Sequence, residues 1–311
     1  MSSLALCIPA YNAAAFLPRL LSSAQQQAIP FNEIWVYDDC STDDTAAIAK
    51  QFGATVISGE VNRGCSFGKN TLAASVKSDW IHFHDADDDL LPNFTTSVHQ
   101  WIERNGSQKD ILLLNYNYVD AYSGEILGAG NYDALALRND PLKYAIMRKI
   151  VNFGVYRRDK FLNAGGFNTD TRVLYNEDNA MHQRMAKAGL YFDYLPDITC
   201  INYRYKVSMS SANYLKCAIS NYYVLEDTAL THGAIYPKEI ADKLWECVAA
   251  LGVGEAYDYM EKALAICKKL GYPYSSNGGR VFNALTHLHP FGAVWLREKL
   301  IRLFKPHLRS N

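Results

Sequence analysis

Residues 80–89 read Trp80-Ile81-His82-Phe83-His84-Asp85-Ala86-Asp87-Asp88-Asp89, a short β-rich run that ends in four carboxylates over five positions. Similar runs begin near Leu4 (LALCI), Glu33 (EIWVY) and Thr55 (TVIS). Each is apolar on nearly every residue, as strands covered on both faces by helices should be. Helical patterns separate them. Phe16, Leu17, Leu20, Leu21 and Ala24 share one stripe, with Pro18 tolerated in the first turn. Thr45 to Phe52 reads as a second helix, capped by Ser41 or Thr42 and stopped by Gly53. A third runs from about Phe67 to Lys77. Strand and helix in alternation predict a parallel, doubly wound half, in which ligands bind just past the carboxyl ends of the strands.

Those ends carry polar clusters. The first strand ends in Pro9-Ala10-Tyr11-Asn12, the second in Asp38-Asp39-Cys40-Ser41, and the fourth in the acidic run. Adjacent carboxylates in a cleft are costly unless a cation or hydrogen bonds compensate. Hard divalent ions such as Mg²⁺ and Mn²⁺ take oxygen ligands, commonly one or two carboxylates plus substrate phosphates. The spacing lets Asp85 and Asp87 point to one side of an extended turn. A solvated acidic loop is the ordinary alternative for a charge run; the position at a strand end argues against it. An EF-hand loop counted from Asp85 would need Gly at Leu90 and Glu at Thr96, and a D-x-D-x-T phosphatase motif would need Thr at Asp89. In the second cluster Ser41, Thr42 and Asp43 suffice to cap a helix, which leaves Asp38 and Asp39 available for a uracil imide or a ribose hydroxyl.

The composition is that of a globular protein, with 49% apolar and 20% charged residues. A net charge of −1 excludes a globally basic nucleic-acid binder. Seven cysteines stand singly without a CxxC pair, which fits neither a disulfide framework nor a zinc site and suits a reducing cytoplasm. The start Met1-Ser2-Ser3-Leu4 lacks a basic region and its apolar run ends at Pro9, so no signal peptide is expected. No apolar stretch approaches the ~18 residues of a membrane span.

A further strand is expected over about Ile111 to Val119, followed by a less regular region up to about Tyr205. From Leu215 onward the pattern is helical. Ile240, Leu244, Val248 and Leu251 form one stripe and Tyr257, Met260, Leu264 and Cys267 another, with Gly252 and Gly254 between them. This divides the chain into a core over residues 1–210, a helical appendage over 211–290 and a basic tail over 291–311. In the tail, Leu296, Leu300, Leu303 and Phe304 share a face beside Arg297, Lys299, Arg302 and Lys305. Two readings fit: a helix lying on a membrane surface, or one packed on its own core.

Taken in order, several motifs carry a resemblance. Cys7-Ile8-Pro9-Ala10-Tyr11-Asn12 comes first, then Asp38-Asp39 with Ser41, Asp43 and Thr45. Asn62, Gly64 and Asn70 follow, then Asp85-Ala86-Asp87-Asp88, Gly165-Gly166-Phe167 and Asn176-Glu177-Asp178 with Arg184 and Gly189. Over residues 4–205 the chain resembles family 2 of the inverting glycosyltransferases. That implies an α/β GT-A-like fold, a Rossmann-like nucleotide-binding half with a mixed sheet, plus the helical appendage. The resemblance implies that Pro9, Tyr11, Asp38, Asp39 and Arg63 meet the nucleoside. Asp85 would touch ribose or metal, and Asp87 would bind Mn²⁺ or Mg²⁺ at the diphosphate. Asp178 would be the general base, with Glu177 supporting it.

Two positions depart from the family pattern. Lys69 stands where Arg is common, and Tyr203 to Ser208 contains no histidine to serve as a further metal ligand, which leaves Arg204 or Lys206 to hold the diphosphate by charge. The activity implied is inverting transfer of a hexose or N-acetylhexosamine from a UDP-sugar to a carbohydrate or lipid-linked hydroxyl, in glycan or cell-surface polysaccharide synthesis. It would take place in the cytoplasm or peripherally on the membrane's inner face. The alternatives are a sugar-nucleotide-binding module without activity and nucleotidyl transfer to a sugar phosphate. The latter calls for a Gly-rich basic loop where Pro9-Ala10-Tyr11-Asn12 stands.

Overall fold

The computed structural model describes residues 2–309 apart from 152, 207–211 and 276–277. The chain forms two compact units, the first comprising Met1–Ala145, Ile150–Thr169 and Glu177–Ser208. Its first half runs β1 (Leu4–Ala10), α1 (Leu17–Gln25), β2 (Glu33–Asp38), α2 (Thr45–Gln51), β3 (Thr55–Ser58), α3 (Cys65–Ser75) and β4 (Trp80–Phe83). Then come β5 (Asp89–Leu90), α4 (Phe94–Asn105), β6 (Ile111–Asp120), β7 (Ile126–Ala129), α5 (Ala134–Asn139) and α6 (Pro141–Met147). They are followed by β8 (Gly154–Arg157), α7 (Arg158–Asn163), α8 (Glu177–Lys187) and β9 (Phe192–Arg204).

The strands form one sheet in the order β3-β2-β1-β4-β8-β6-β9-β5, with β7 beside β6. β1 pairs in parallel with β2 and β4, and β2 with β3, whereas β8 runs antiparallel to both β4 and β6. The expected α/β fold with a mixed sheet is therefore present. Leu4, Leu6 and Ile8 of central β1 are fully buried, as a strand paired on both edges and covered by helices requires. β3 departs from the expectation. It lies at the sheet edge with Thr55 and Ser58 exposed and Val56 and Ile57 half-buried, because only β2 flanks it.

Three strands, β7, β8 and β9, lie in the region that reads as irregular in sequence. β9 pairs with β6 through register shifts on either side of Asn115. There Pro196 interrupts the alternation, and the Asn115 amide donates to the Pro196 carbonyl at 2.8 Å. A strand with a proline inside it needs such a bulge, and its sequence pattern is lost in the same stroke. The capping of α2 also differs from expectation. Ser41 Oγ accepts from the Asn12 N–H at 2.9 Å and the Thr42 N–H donates to Asn12 Oδ1 at 2.9 Å, so both residues hold the β1 loop. Asp43 instead accepts the Thr45 N–H at the helix start.

The second unit comprises Ile146–Lys149, Asp170–Asn176 and Met209–Asn311. It holds α9 (Tyr214–His232), α10 (Pro237–Val253), α11 (Tyr257–Lys269), α12 (Arg280–Leu288) and α13 (Pro290–Phe304). Its core uses the stripe read from sequence: Ile240, Leu244, Val248 and Leu251 are fully buried, and Met260, Ala263 and Cys267 face them from α11. Gly252 lies inside α10 rather than between stripes. A Cβ there would come within 2.8 Å of Val294 Cγ1 on α13, so the glycine permits that helix contact. α13 packs through Ala293, Val294 and Glu298, while Leu296, Leu300, Leu303 and Phe304 are exposed. No helix among the described residues is long and apolar enough to cross a membrane.

Candidate active site

The carboxyl ends of β1, β2 and β4 carry the site residues, as parallel strands fanning from one edge require. Pro9 is half-buried within β1, and Tyr11 just beyond it is exposed. Asp38 and Asp39 are buried. Asp38 accepts the Ser41 N–H at 3.1 Å, so its carboxylate holds the local turn. Asp39 accepts the Arg63 and Gly64 N–H groups at 2.8 and 2.7 Å, which fixes the loop entering α3. Gly64 has φ +84°, a conformation that side chains resist. The Arg63 guanidinium lies over the Phe67 ring at 4.6 Å.

The acidic run divides into two pairs. Asp88 accepts from Asn202 Nδ2 at 2.8 Å and from the Tyr203 N–H at 2.9 Å. Asp89 accepts from Arg19 Nε at 2.9 Å and from the Tyr203 hydroxyl at 3.0 Å. These two anchor the loop to β9 and α1. Arg19 also donates to the Asp87 carbonyl at 2.8 Å and stacks over Tyr203 at 3.9 Å. The carboxylates of Asp85 and Asp87 take no part in that anchoring. Burial, and then the charge of Asp85, push the Asp87 pKa up. A partly desolvated carboxylate repelled by its neighbour is the oxygen donor set that a hard divalent cation relieves, so the pair fits Mg²⁺ or Mn²⁺.

Beneath this loop lie His82 and His84, both fully buried. His82 Nδ1–H donates to the Gly154 carbonyl at 2.8 Å, so its Nε2 accepts from His84 Nδ1–H at 2.9 Å. Burial lowers both pKa values, that of His82 to about 4, and keeps the pair neutral. Cys200 is also near enough to complete a three-ligand cluster. The thiol is buried and protonated, its pKa raised chiefly by desolvation. The two imidazoles bind each other and leave His84 Nε2 buried without a hydrogen-bond partner among the described residues; with both rings neutral and the thiol protonated, we read the cluster as core.

Glu177 and Asp178 open α8. Glu177 is buried and accepts from the Cys65 thiol at 3.5 Å. The Asp178 carbonyl accepts from His182 Nδ1 at 2.8 Å, and His182 Nε2 meets the Tyr156 hydroxyl at 3.0 Å. The acids from β4 and α8 meet at Lys69, whose Nζ lies 3.4 Å from Asp85 and 3.8 Å from Asp178. Reading the sequence missed this role. The signal was nevertheless present: Lys69 stands three and four residues before Leu72 and Ala73, on the buried face of α3, where a charge needs partners.

The Gly165-Gly166-Phe167 turn sits behind Lys69, whose ammonium lies 5.0 Å from the Phe167 ring centroid. Asn70 binds Phe167 twice, accepting its N–H and donating to its carbonyl, both at 2.9 Å. Gly166 has φ +58°, and a Cβ there would run into Asn70 Oδ1. The glycine is thus needed for the protein's own packing. Lys206 is not drawn to the acidic loop: its ammonium lies 5.5 Å from the centroid of the Tyr122 ring. Arg204 lies over Tyr118 at 4.1 Å. Val207 and Ser208 lie outside the described residues.

The chain aligns with S. aureus TarS 1-349 in complex with UDP-GlcNAc at a TM-score of 0.65 and 16% identity, covering 97% of this chain and 92% of that one. It aligns with the mannosyltransferase PcManGT from Pyrobaculum calidifontis, in complex with GDP-Man and Mn²⁺, at a TM-score of 0.60 and 16% identity, covering 99% and 82%. At these identities the likeness is one of fold. An uncharacterized glycosyltransferase of Haemophilus influenzae is 29% identical over 181 residues, which are 56% of this chain and 60% of that protein. The chain thus spans less than two thirds of that relative. Escherichia coli chondroitin synthase is 35% identical over 91 residues, covering 28% of this chain and 13% of its own. The model for glycosyl transferase family 2 matches residues 5–162, about half of the chain and the half that carries Asp39, Lys69, Asp85 and Asp87, and the chain belongs to that family.

Proposed function

We propose that the chain catalyses inverting transfer of a hexose or N-acetylhexosamine from a UDP-sugar to a hydroxyl acceptor. The observation that carries this reading is Lys69, which joins Asp85 of the β4 loop to Asp178 at the start of α8. It brings a diphosphate-side carboxylate and a proton acceptor into one charge cluster. Pro9, Tyr11 and Asp39 frame the base; each Asp39 oxygen accepts one backbone N–H and keeps a lone pair for an imide N–H. Asp87 with Asp85 would hold Mn²⁺ or Mg²⁺, which when bound supplies positive charge against the departing diphosphate. The cation and the UDP-GlcNAc in the complexes of the two structural neighbours support these ligand classes.

Asp178 takes the proton of the acceptor hydroxyl. That oxygen bonds to the anomeric carbon while the bond from this carbon to the diphosphate breaks, and the electron pair leaves with the diphosphate. A single displacement of this kind inverts the anomeric centre. Glu177 orients the start of α8 through the Cys65 thiol, and Lys206 reaches the diphosphate by leaving the Tyr122 ring. The acceptor is a carbohydrate or lipid-linked hydroxyl, as in cell-surface polysaccharide synthesis, and the reaction is cytoplasmic.

The test is a thermal-shift series with UDP, UDP-sugars and GDP, with and without Mn²⁺, followed by donor hydrolysis. UDP at a hundred times its Kd stabilises by about 2.7 kcal/mol. A shift with GDP in place of UDP would reassign the donor. Binding of UDP-sugars with no hydrolysis or transfer would favour a binding module.

A further inference from the structure

α13 is amphipathic with the unexpected side inward. Facing its own unit it buries Glu298, 2% exposed, which pairs with Arg297 at 3.0 Å and Arg309 at 2.8 Å. Facing outward it presents Leu296, Leu300, Leu303 and Phe304, the last two 70% and 73% exposed. Arg302 anchors this orientation by donating to the Val253 carbonyl, and both Arg302 and Lys299 pair with Glu255. α12 extends the same surface: Val281 and Leu288 are 76% and 82% exposed, and Thr286 is its one buried residue. Between the two helices lies an apolar groove of about 440 Å³, lined chiefly by Val281, Phe282, Leu285, Leu296 and Leu300.

Contiguous apolar surface rimmed by polar groups marks an interaction site. Charge selects the occupant. Of the six Arg and Lys from Arg280 to Arg309, Arg297 and Arg309 pair with Glu298 and Lys299 and Arg302 with Glu255, and Arg280 and Lys305 add to an excess of positive charge on this face of a chain whose net charge is −1. Two copies meeting on this face would oppose like charges across the contact. An anionic, apolar surface satisfies both features at once. We propose that α12 and α13 dock this chain on an anionic lipid surface, with the leucines and Phe304 entering the acyl boundary and Arg280 and Lys305 meeting headgroups. This inference is independent of the transfer reaction.

Co-sedimentation of the full chain with vesicles tests it, without donor or acceptor. The chain should pellet with phosphatidylcholine–phosphatidylglycerol vesicles at low salt, release as salt rises, and ignore phosphatidylcholine alone. Arg280→Ser with Lys305→Ser should weaken binding on the order of twentyfold, since each basic residue near an anionic surface is worth about fivefold. Leu300→Ser with Phe304→Ser should weaken it by about tenfold or more. All four side chains are exposed, so both variants should melt as the wild type does. The proposal is overturned if the wild type fails to pellet with anionic vesicles at low salt. It is overturned equally if the apolar pair can be replaced without effect. A lipid-free dimer that Leu300→Ser with Phe304→Ser dissolves would assign the face to a second copy.

Discussion

The Lys69 ammonium lies 3.8 Å from the Asp178 carboxylate, on a lysine side chain that is 1% exposed. Asp85, 3.4 Å away, completes the cluster. Burial alone would lower the lysine pKa; Asp85 and then Asp178 more than offset it and hold it well above 10.5. The cation therefore persists in a place where it could not stand alone.

Replacing it tests that balance. Lys69→Met should destabilise by about 1–3 kcal/mol, less than the loss for a fully buried pair, because water reaches Asp85. A raised lysine pKa means that its contribution is complete below the unfolded value and fades only as pH rises through the folded one. The difference in melting temperature from wild type should thus stay constant from about pH 6 to 9 and shrink above that range. A difference that grows with pH would contradict the assignment.

Asp178→Asn keeps the shape and removes the carboxylate proposed to accept the proton. Turnover should fall by about 10²–10⁴ with donor KM little changed. More than about a tenth of the wild-type rate would point to another base.

Asp87→Asn addresses the metal. Its raised pKa means that the folded state binds this proton more tightly than the unfolded state does, so the metal-free protein gains stability as pH falls toward that value. The amide removes the same repulsion at neutral pH. The metal-free variant should melt slightly higher than wild type, yet lose the extra UDP shift that Mn²⁺ provides. If UDP with Mn²⁺ stabilises it as before, the cation is held elsewhere.

Gly166→Ala combines a positive φ with a clash on Asn70. A loss of about 1–3 kcal/mol in chemical denaturation is expected. In an Asn70→Ala background the cost should be smaller, since the clash partner is gone. Equal costs in both backgrounds would leave only the backbone conformation to explain the effect.

The nucleotide-binding half was legible because its signals are local. An apolar run such as Leu4–Ile8 can be buried only between two layers, and acids at 85–89 following such a run must stand at a strand end. Four neighbouring aspartates look alike in sequence. Their partners divide them: Asn202, Tyr203 and Arg19 take Asp88 and Asp89 into the framework, whereas Asp85 faces Lys69 and, with Asp87, is the pair proposed to hold a cation. The partners of Asp88 and Asp89 are 70 to 115 residues away, beyond any local pattern. β9 was hidden for a related reason, since its pairing with β6 absorbs Pro196 through a register shift that only the sheet can accommodate. In the C-terminal helix the sequence by itself determined an amphipathic pattern with basic residues beside it. Which face turns inward was decided in the tertiary structure, where Arg297 and Arg309 bury Glu298 and thereby turn Leu300 and Phe304 toward solvent.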